Sequence, residues 1–176
     1  MLNFEPFSID AFQRALKYVN KSTSLCSDLS LGFMSMWRES GGIYFCIWND
    51  TLTVQQNIGS QPAFSWPVGA DVDGMIDELL AYVRAKHMPM RFFAVDDATL
   101  ELIRKDKRLQ PATWAYDERW SDYIYSFEDA MTFKGKKFSG QRNHINRFRR
   151  LYGEPVIRRL TREDRPGVDA LLAEYK

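Results

Sequence analysis

The sequence predicts an α/β (α+β) fold, and three observations carry that prediction. Residues 43–48 and 51–56 are rich in β-branched and aromatic residues and flank Asn49-Asp50, a two-residue turn signal that joins them as a hairpin. Val72, Met75, Ile76, Leu79, Leu80 and Val83 fall at i, i+3, i+4, i+7, i+8 and i+11, a spacing that a helix with one apolar side produces and a strand does not. The 176 residues are 45% hydrophobic and 14% aromatic, enough for a substantial core in one domain, or in one domain plus a piece of another.

From the N-terminus, Ser8 is the cap of a first helix whose apolar stripe is Ile9, Phe12, Leu16 and Val19 and which ends near Asn20. Residues 21–27 are polar and turn-like. Leu29, Phe33, Met36 and Trp37 stand near helical spacing and predict a short second helix over 29–38, stopped by Gly41-Gly42. After the hairpin, 63–66 reads as a third strand, and Pro67-Val-Gly69 leads into the helix of 72–83. Residues 91–95 form a short, mostly apolar strand, and Asp97 caps a helix running to about Lys107, whose charged end at 104–108 is expected to fray into solvent. Residues 113–120 and 121–127 alternate well enough for two strands rich in Trp and Tyr. Gly153-Glu-Pro155 breaks the chain, 156–160 reads as a strand, and Thr161 with Asp164 begins a last helix carrying Val168, Leu171 and Leu172.

Several function classes drop out. No apolar run approaches the roughly eighteen residues a membrane-spanning helix needs, and the opening Met-Leu-Asn-Phe-Glu-Pro lacks the basic and apolar regions of a signal peptide, so a cytoplasmic location is the expectation. Cys26 and Cys46 have no CxxC spacing and read as reduced, packed thiols. With His87 and His144 as the only histidines, a zinc site has too few soft ligands, and no metal is expected.

Charge is where the chain departs from the ordinary. Its 24 Lys and Arg and 23 Asp and Glu leave a formal +1, yet residues 134–150 hold seven Lys or Arg, one His and no acid. Phe138, Ile145, Phe148 and Tyr152 recur at helical spacing there, so this stretch is a helix with one apolar stripe, and Arg142, Asn146 and Arg149 or Arg150 share another side. One reading is a solvated amphipathic helix linking two parts of the protein. The other is a surface for an anion, whether phosphate, carboxylate, lipid headgroup or RNA backbone. Asn143, His144 and Asn146 are mediocre helix formers, and the lack of acids forgoes the usual i to i+4 ion pairs; both details favour the anion.

Other candidates carry two readings each. Residues 67–74, where a strand meets a helix, are a place where a phosphate could rest on a helix start, but Asp71 and Asp73 would repel it there while capping the helix. His144 stands between Arg142 and Arg147 with no carboxylate near it in sequence, so it is a surface histidine or a hydrogen-bonding partner sooner than a general base. Asp122, Glu128 and Asp129 precede the basic stretch and are expected to pair with it. Tyr123 and Tyr125, two apart on a strand, share one face, for core packing or for stacking on a ligand.

Asp122-Tyr-Ile-Tyr-Ser126 with Glu128-Asp129, then Lys134-Gly-Lys-Lys137 and Arg142-Asn-His-Ile-Asn-Arg-Phe148, resembles the phosphatidylglycerol lysyltransferase C-terminal domain family. The resemblance implies a tandem of GNAT-like (N-acetyltransferase-like) folds, each a mixed twisted sheet flanked by helices. It divides the chain into a first GNAT-like domain at 1–133, a basic connecting helix at 134–153, and the opening strand and helix of a second, incomplete repeat at 154–176. It implies an aminoacyl- or acyltransferase acting on an anionic lipid or related acceptor, with aminoacyl-tRNA or acyl-CoA as donor and no other cofactor. Lys134, Lys136, Lys137, Arg142, Asn143, His144, Asn146 and Arg147 would then line the path of the anionic substrate, a phospholipid headgroup, tRNA or acyl donor; no catalytic residue is assigned. Peripheral membrane contact and a homo-oligomer covering the incomplete repeat belong to the same expectation, as does inactivity of these 176 residues alone. The alternative is a non-enzymatic module that binds anionic lipid or RNA through the basic helix.

Overall fold

The computed structural model describes residues 2–22 and 24–175 and divides into two compact units, Met1–Asp122 and Tyr123–Lys176. Asn49 and Asp50, at φ 45° and 52°, form the predicted turn, because both central residues of such a hairpin must be left-handed and Asn and Asp tolerate that best. It joins β2 (Tyr44–Trp48) to β3 (Thr51–Ile58), the centre of an antiparallel sheet. β1 (Glu5–Pro6) pairs with β2, and β4 (Gln61–Phe64) pairs with the far end of β3. The second half of that neighbour was not foreseen: β5 (Val68–Gly69) returns to the start of β3, at Thr51 and Leu52.

Between β4 and β5 the ladder is carried by Ser65. Its N–H donates to the Val54 carbonyl at 2.8 Å, its hydroxyl accepts from the Val54 N–H at 2.9 Å, and its carbonyl accepts from the Thr53 hydroxyl at 3.0 Å. Pro67, with no N–H to offer, sits in the interruption. Gly69 is required where the chain rejoins, since a Cβ there would lie 2.2 Å from the Asp50 carbonyl oxygen.

Alternation along the strands feeds two cores. On one side Phe45, Leu52, Val54 and Ala63 pack with helices α1 (Ile9–Val19) and α2 (Leu31–Trp37); on the other Cys46 and Phe64 pack with Met75, Leu79 and Val83 of α3 (Val72–Ala85). In both first helices the expected stripe packs only in part: Phe12 and Val19 of α1, and Leu29 just before α2, lie half-buried against the core. In α1, capped by Ser8 as predicted, Ala11, Ala15 and Tyr18 are buried and Leu16 faces outward; the Ile9 side chain lies outside the described residues. In α2 Leu31 and Met34 are buried while Met36 and Trp37 are exposed. Small alanines let the helix approach the sheet closely, so size-weighted patterning sets the stripe off its centre.

The strand expected at 91–95 shrinks to one parallel bridge, Phe64 to Phe92, held by two hydrogen bonds of 2.9 and 3.0 Å, because Ala94 turns left-handed at φ 51° and carries the chain away. The sheet with this bridge and helices on both faces is the mixed α+β architecture expected. α4 (Asp97–Lys105) is capped by Asp96, not Asp97, through the Thr99 N–H at 2.8 Å. Its charged end does not fray. The Arg108 guanidinium reaches the Asp73 and Asp77 carboxylates at 2.8 and 3.0 Å and also holds Asp106, fastening the exit of α4 to the start of α3.

Residues 113–127, expected as two strands, join no ladder; Trp114, Tyr116, Tyr123 and Tyr125 are exposed. The expected strand at 156–160 likewise has no partner, with Val156 and Ile157 exposed. β-propensity measures packing on a neighbour, and without one it forms no sheet. The second unit is helical: α5 (Phe127–Thr132), α6 (Ser139–Tyr152) and α7 (Arg165–Ala173). Gly153 at φ 81° ends α6, and Pro166 starts α7.

Candidate functional site

The basic segment takes its shape from the turn before α6. Phe133, left-handed at φ 45°, ends α5, and Gly135 at φ 97° redirects the chain into a short 3-10 turn, Lys136–Phe138, from which α6 continues. Arg142, one helical turn into α6, donates from Nη1 to the carbonyls of Phe133 and, at 2.7 Å, of Gly135. A guanidinium on two free helix-end carbonyls closes the turn, so Lys134, between those carbonyls, and Lys136 are presented beside the start of α6.

That start is electrostatically unusual. Phe138 occupies the cap position with no side-chain hydrogen bond, and the first turn holds no acid. A helix N-terminus carries partial positive charge and ordinarily attracts carboxylates, whereas here the neighbours are lysines. Lys137 is paired with Asp129 at 2.8 Å, and Arg149 with Glu154 at 3.1 Å. Among the described residues Lys134, Lys136, Arg147 and Arg150 have no carboxylate partner and are exposed.

At about 100° per residue, α6 brings Arg142, Asn143, Asn146 and Arg147 to one side. It turns His144 to the opposite side, among Leu151 and Phe148. Arg150 joins Asn143 and Arg147 on the cationic side; the i, i+4, i+7 spacing held that signal, though the substrate path read from the sequence stopped at Arg147. Asp129 pairs with the basic stretch as expected. Asp122 instead accepts from the Ser27 N–H and hydroxyl at 2.7 and 2.6 Å, which lowers its pKa. Tyr123 and Tyr125 are not core residues: their rings stack on each other at 6.5 Å in solvent.

The start of α3 is already filled. Asp71 accepts from the Gly74 N–H at 2.9 Å and from Asn49 Nδ2 at 2.6 Å, and Asp73 is engaged by Arg108. Anionic side chains thus stand where the pyrophosphate of an acyl-CoA would have to rest. Cys26 and Cys46 are free thiols, the latter buried with its pKa raised by desolvation. Among the described residues no group of three or more His, Cys, Asp or Glu is placed to hold a metal ion.

Fold and surface together define the class: an α+β domain joined to a helical unit in which, among the described residues, Lys134, Lys136, Arg147 and Arg150 are exposed cations without a carboxylate partner. The family model for phosphatidylglycerol lysyltransferase, C-terminal, matches residues 21–175, and the chain belongs to that family. A crystal structure from Bacteroides thetaiotaomicron, described as a conserved protein of unknown function, is similar over 99% of this chain at 26% identity and a TM-score of 0.87. This chain spans 59% of that protein's length. Among curated proteins none matches. No helix among the described residues is long and apolar enough to cross a membrane.

Proposed function

We propose that the chain takes part in aminoacyl or acyl transfer of the phosphatidylglycerol lysyltransferase type, and that its basic segment receives the anionic acceptor, a phospholipid headgroup or related phosphate ester. Lys134, Lys136, Lys137, Arg142, Asn143, Asn146 and Arg147 would line its path, with Arg150 added and His144, on the opposite side of α6, left out. The family supplies the lipid chemistry. The observation that carries the residue-level reading is the start of α6, uncapped and free of acid in its first turn, beside the unpaired Lys134 and Lys136. Positive charge gathered on a positive helix end costs stability that a bound anion would return.

The chemistry asks for little beyond positioning. A headgroup hydroxyl attacks the carbonyl carbon of an activated ester, the former ester oxygen leaves, and the hydroxyl proton passes to that oxygen or to solvent. Holding the phosphate fixes the hydroxyl, and guanidinium and amide donors steady the oxyanion.

Glycerophosphate, the soluble part of such a headgroup, tests the reading. Its binding should weaken steeply with rising salt and fall about fivefold in each of Lys136→Gln and Arg147→Gln, since one cation near an anionic surface contributes about 1 kcal/mol. A wild-type protein that binds neither glycerophosphate nor phosphatidylglycerol vesicles at low salt overturns it.

A further inference from the structure

We infer that the groove between the start of α3 and the exit of α4 docks a short peptide segment of a partner protein, apolar along its body and acidic at one end. Every residue of the groove belongs to the Met1–Asp122 unit, so the site stands or falls apart from the basic segment. The groove is open to solvent, with a volume of about 590 Å³. Val72 and Ile76 of α3 line one side, Leu102 and Lys105 of α4 with Lys107 the other, and Trp66 completes the lining.

The apolar part is fixed by the fold. Ile76 is buried, and the Trp66 ring rests 5.4 Å from that of Phe92. Leu102 is different: it is 52% exposed in the groove, while its neighbour Ile103 is the residue that α4 gives to the core. A leucine turned from the core toward an apolar floor makes a surface that a partner's apolar side chain would cover.

The charges say which partner. Arg108 reaches from the exit of α4 to Asp73 and Asp77 of α3 and also holds Asp106, so these acids are engaged. Among the described residues Lys105 and Lys107 are exposed and have no carboxylate partner. A lysine in the last turn suits the end of α4 by its charge alone; two lysines beside an apolar floor match a carboxylate that follows an apolar side chain. With acids on the α3 side and unpaired cations on the α4 side, the groove accepts a carboxylate or two and not a run of them. RNA would carry its phosphates past Asp73 and Asp77, a like-charge contact that costs energy. An open groove of this size suits a chain segment better than a small enclosed ligand.

Fluorescence anisotropy of the full chain with a labelled peptide, Glu-Glu-Leu-Phe-Leu, tests the site. The expected result is saturable binding that falls about tenfold when both glutamates of the peptide become glutamine, and about tenfold in Leu102→Ser and in the double change Lys105→Glu with Lys107→Glu. Leu102→Met should keep most of the affinity, Lys136→Gln in the basic segment should leave it unchanged, and circular dichroism shows that each variant is folded. A wild-type protein that does not bind the peptide overturns the site, as does binding that ignores the lysine or leucine changes or is as tight for the glutamine peptide. Loss of binding in Lys136→Gln also overturns it, by moving the peptide to the basic segment. Self-association abolished by Leu102→Ser, or RNA binding lost with the two lysines, in a protein that ignores the peptide, overturns it in favour of that occupant.

Discussion

Met1–Asp122 and Tyr123–Lys176 hold the same number of cations, twelve each, but sixteen acids against seven. The difference is what the acids do. In the first unit Asp71 and Asp96 cap helices, Asp50 accepts from Lys17 and Tyr18 at the hairpin, Asp106 holds Arg108, and Asp122 holds Ser27. Acids there fasten the fold. The second unit has few such fasteners, so several of its cations remain turned to solvent, and no described residue in it is buried. One unit spends its side chains inward and the other outward.

The sharpest way to break that comparison is a matched pair of truncations. Phe45 is 1% exposed, sits edge-on to Phe7 at 6.0 Å and carries the Arg14 guanidinium over its ring at 4.9 Å. Phe45→Ala should cost about 3–5 kcal/mol in urea unfolding, from lost transfer energy plus a cavity. Phe148→Ala should cost under about 0.5 kcal/mol, because its ring is already half in water. Equal losses would mean that the second unit has a core of its own.

The first unit was the more legible in sequence, for the same reason. Asn49-Asp50 and the 72–83 periodicity are local signals, and the structure realises them within a residue or two. Arg108 was read as a frayed end because its partners Asp73 and Asp77 lie 35 and 31 residues back, beyond any local pattern. The strands expected at 113–120, 121–127 and 156–160 failed for the opposite reason: the propensity is in the sequence, but the ladder partner is not. In the basic segment the clustering of charge was plain. That Arg142 closes a turn while Arg150 stays free was not, since only geometry decides which guanidinium meets a carbonyl.

A middle-sized effect belongs to the Arg108 clamp. Its side chain is 32% exposed, so its ion pairs are partly screened, and Arg108→Ala should cost about 2 kcal/mol by thermal unfolding. The clamp also sets an acid limit. Hydrogen bonding from Arg108 holds the Asp106 carboxyl below the usual carboxylate range, so the folded state binds its proton less readily than the unfolded chain. That stability is complete above the ordinary aspartate pKa of about 4 and is lost as pH falls through the lower folded value. In Arg108→Ala the fall in urea midpoint below about pH 4 should be shallower than in wild type. An unchanged slope would mean that Asp106 gains nothing from the guanidinium.

The smallest effect has an unusual sign. Lys134 and Lys136 stand beside an uncapped helix start where cations oppose the macrodipole, each at a cost of about 0.3–1 kcal/mol when exposed. Without ligand, the double change Lys134→Gln with Lys136→Gln should therefore raise the thermal stability of α6 by a few tenths of a kcal/mol to about 1 kcal/mol, while glycerophosphate binding falls. Helical circular dichroism across a melt, with and without glycerophosphate, measures both arms. A variant that melts lower in the absence of any anion would show that these lysines serve the fold, and the division of labour between the two units would fail at the point where it matters for function.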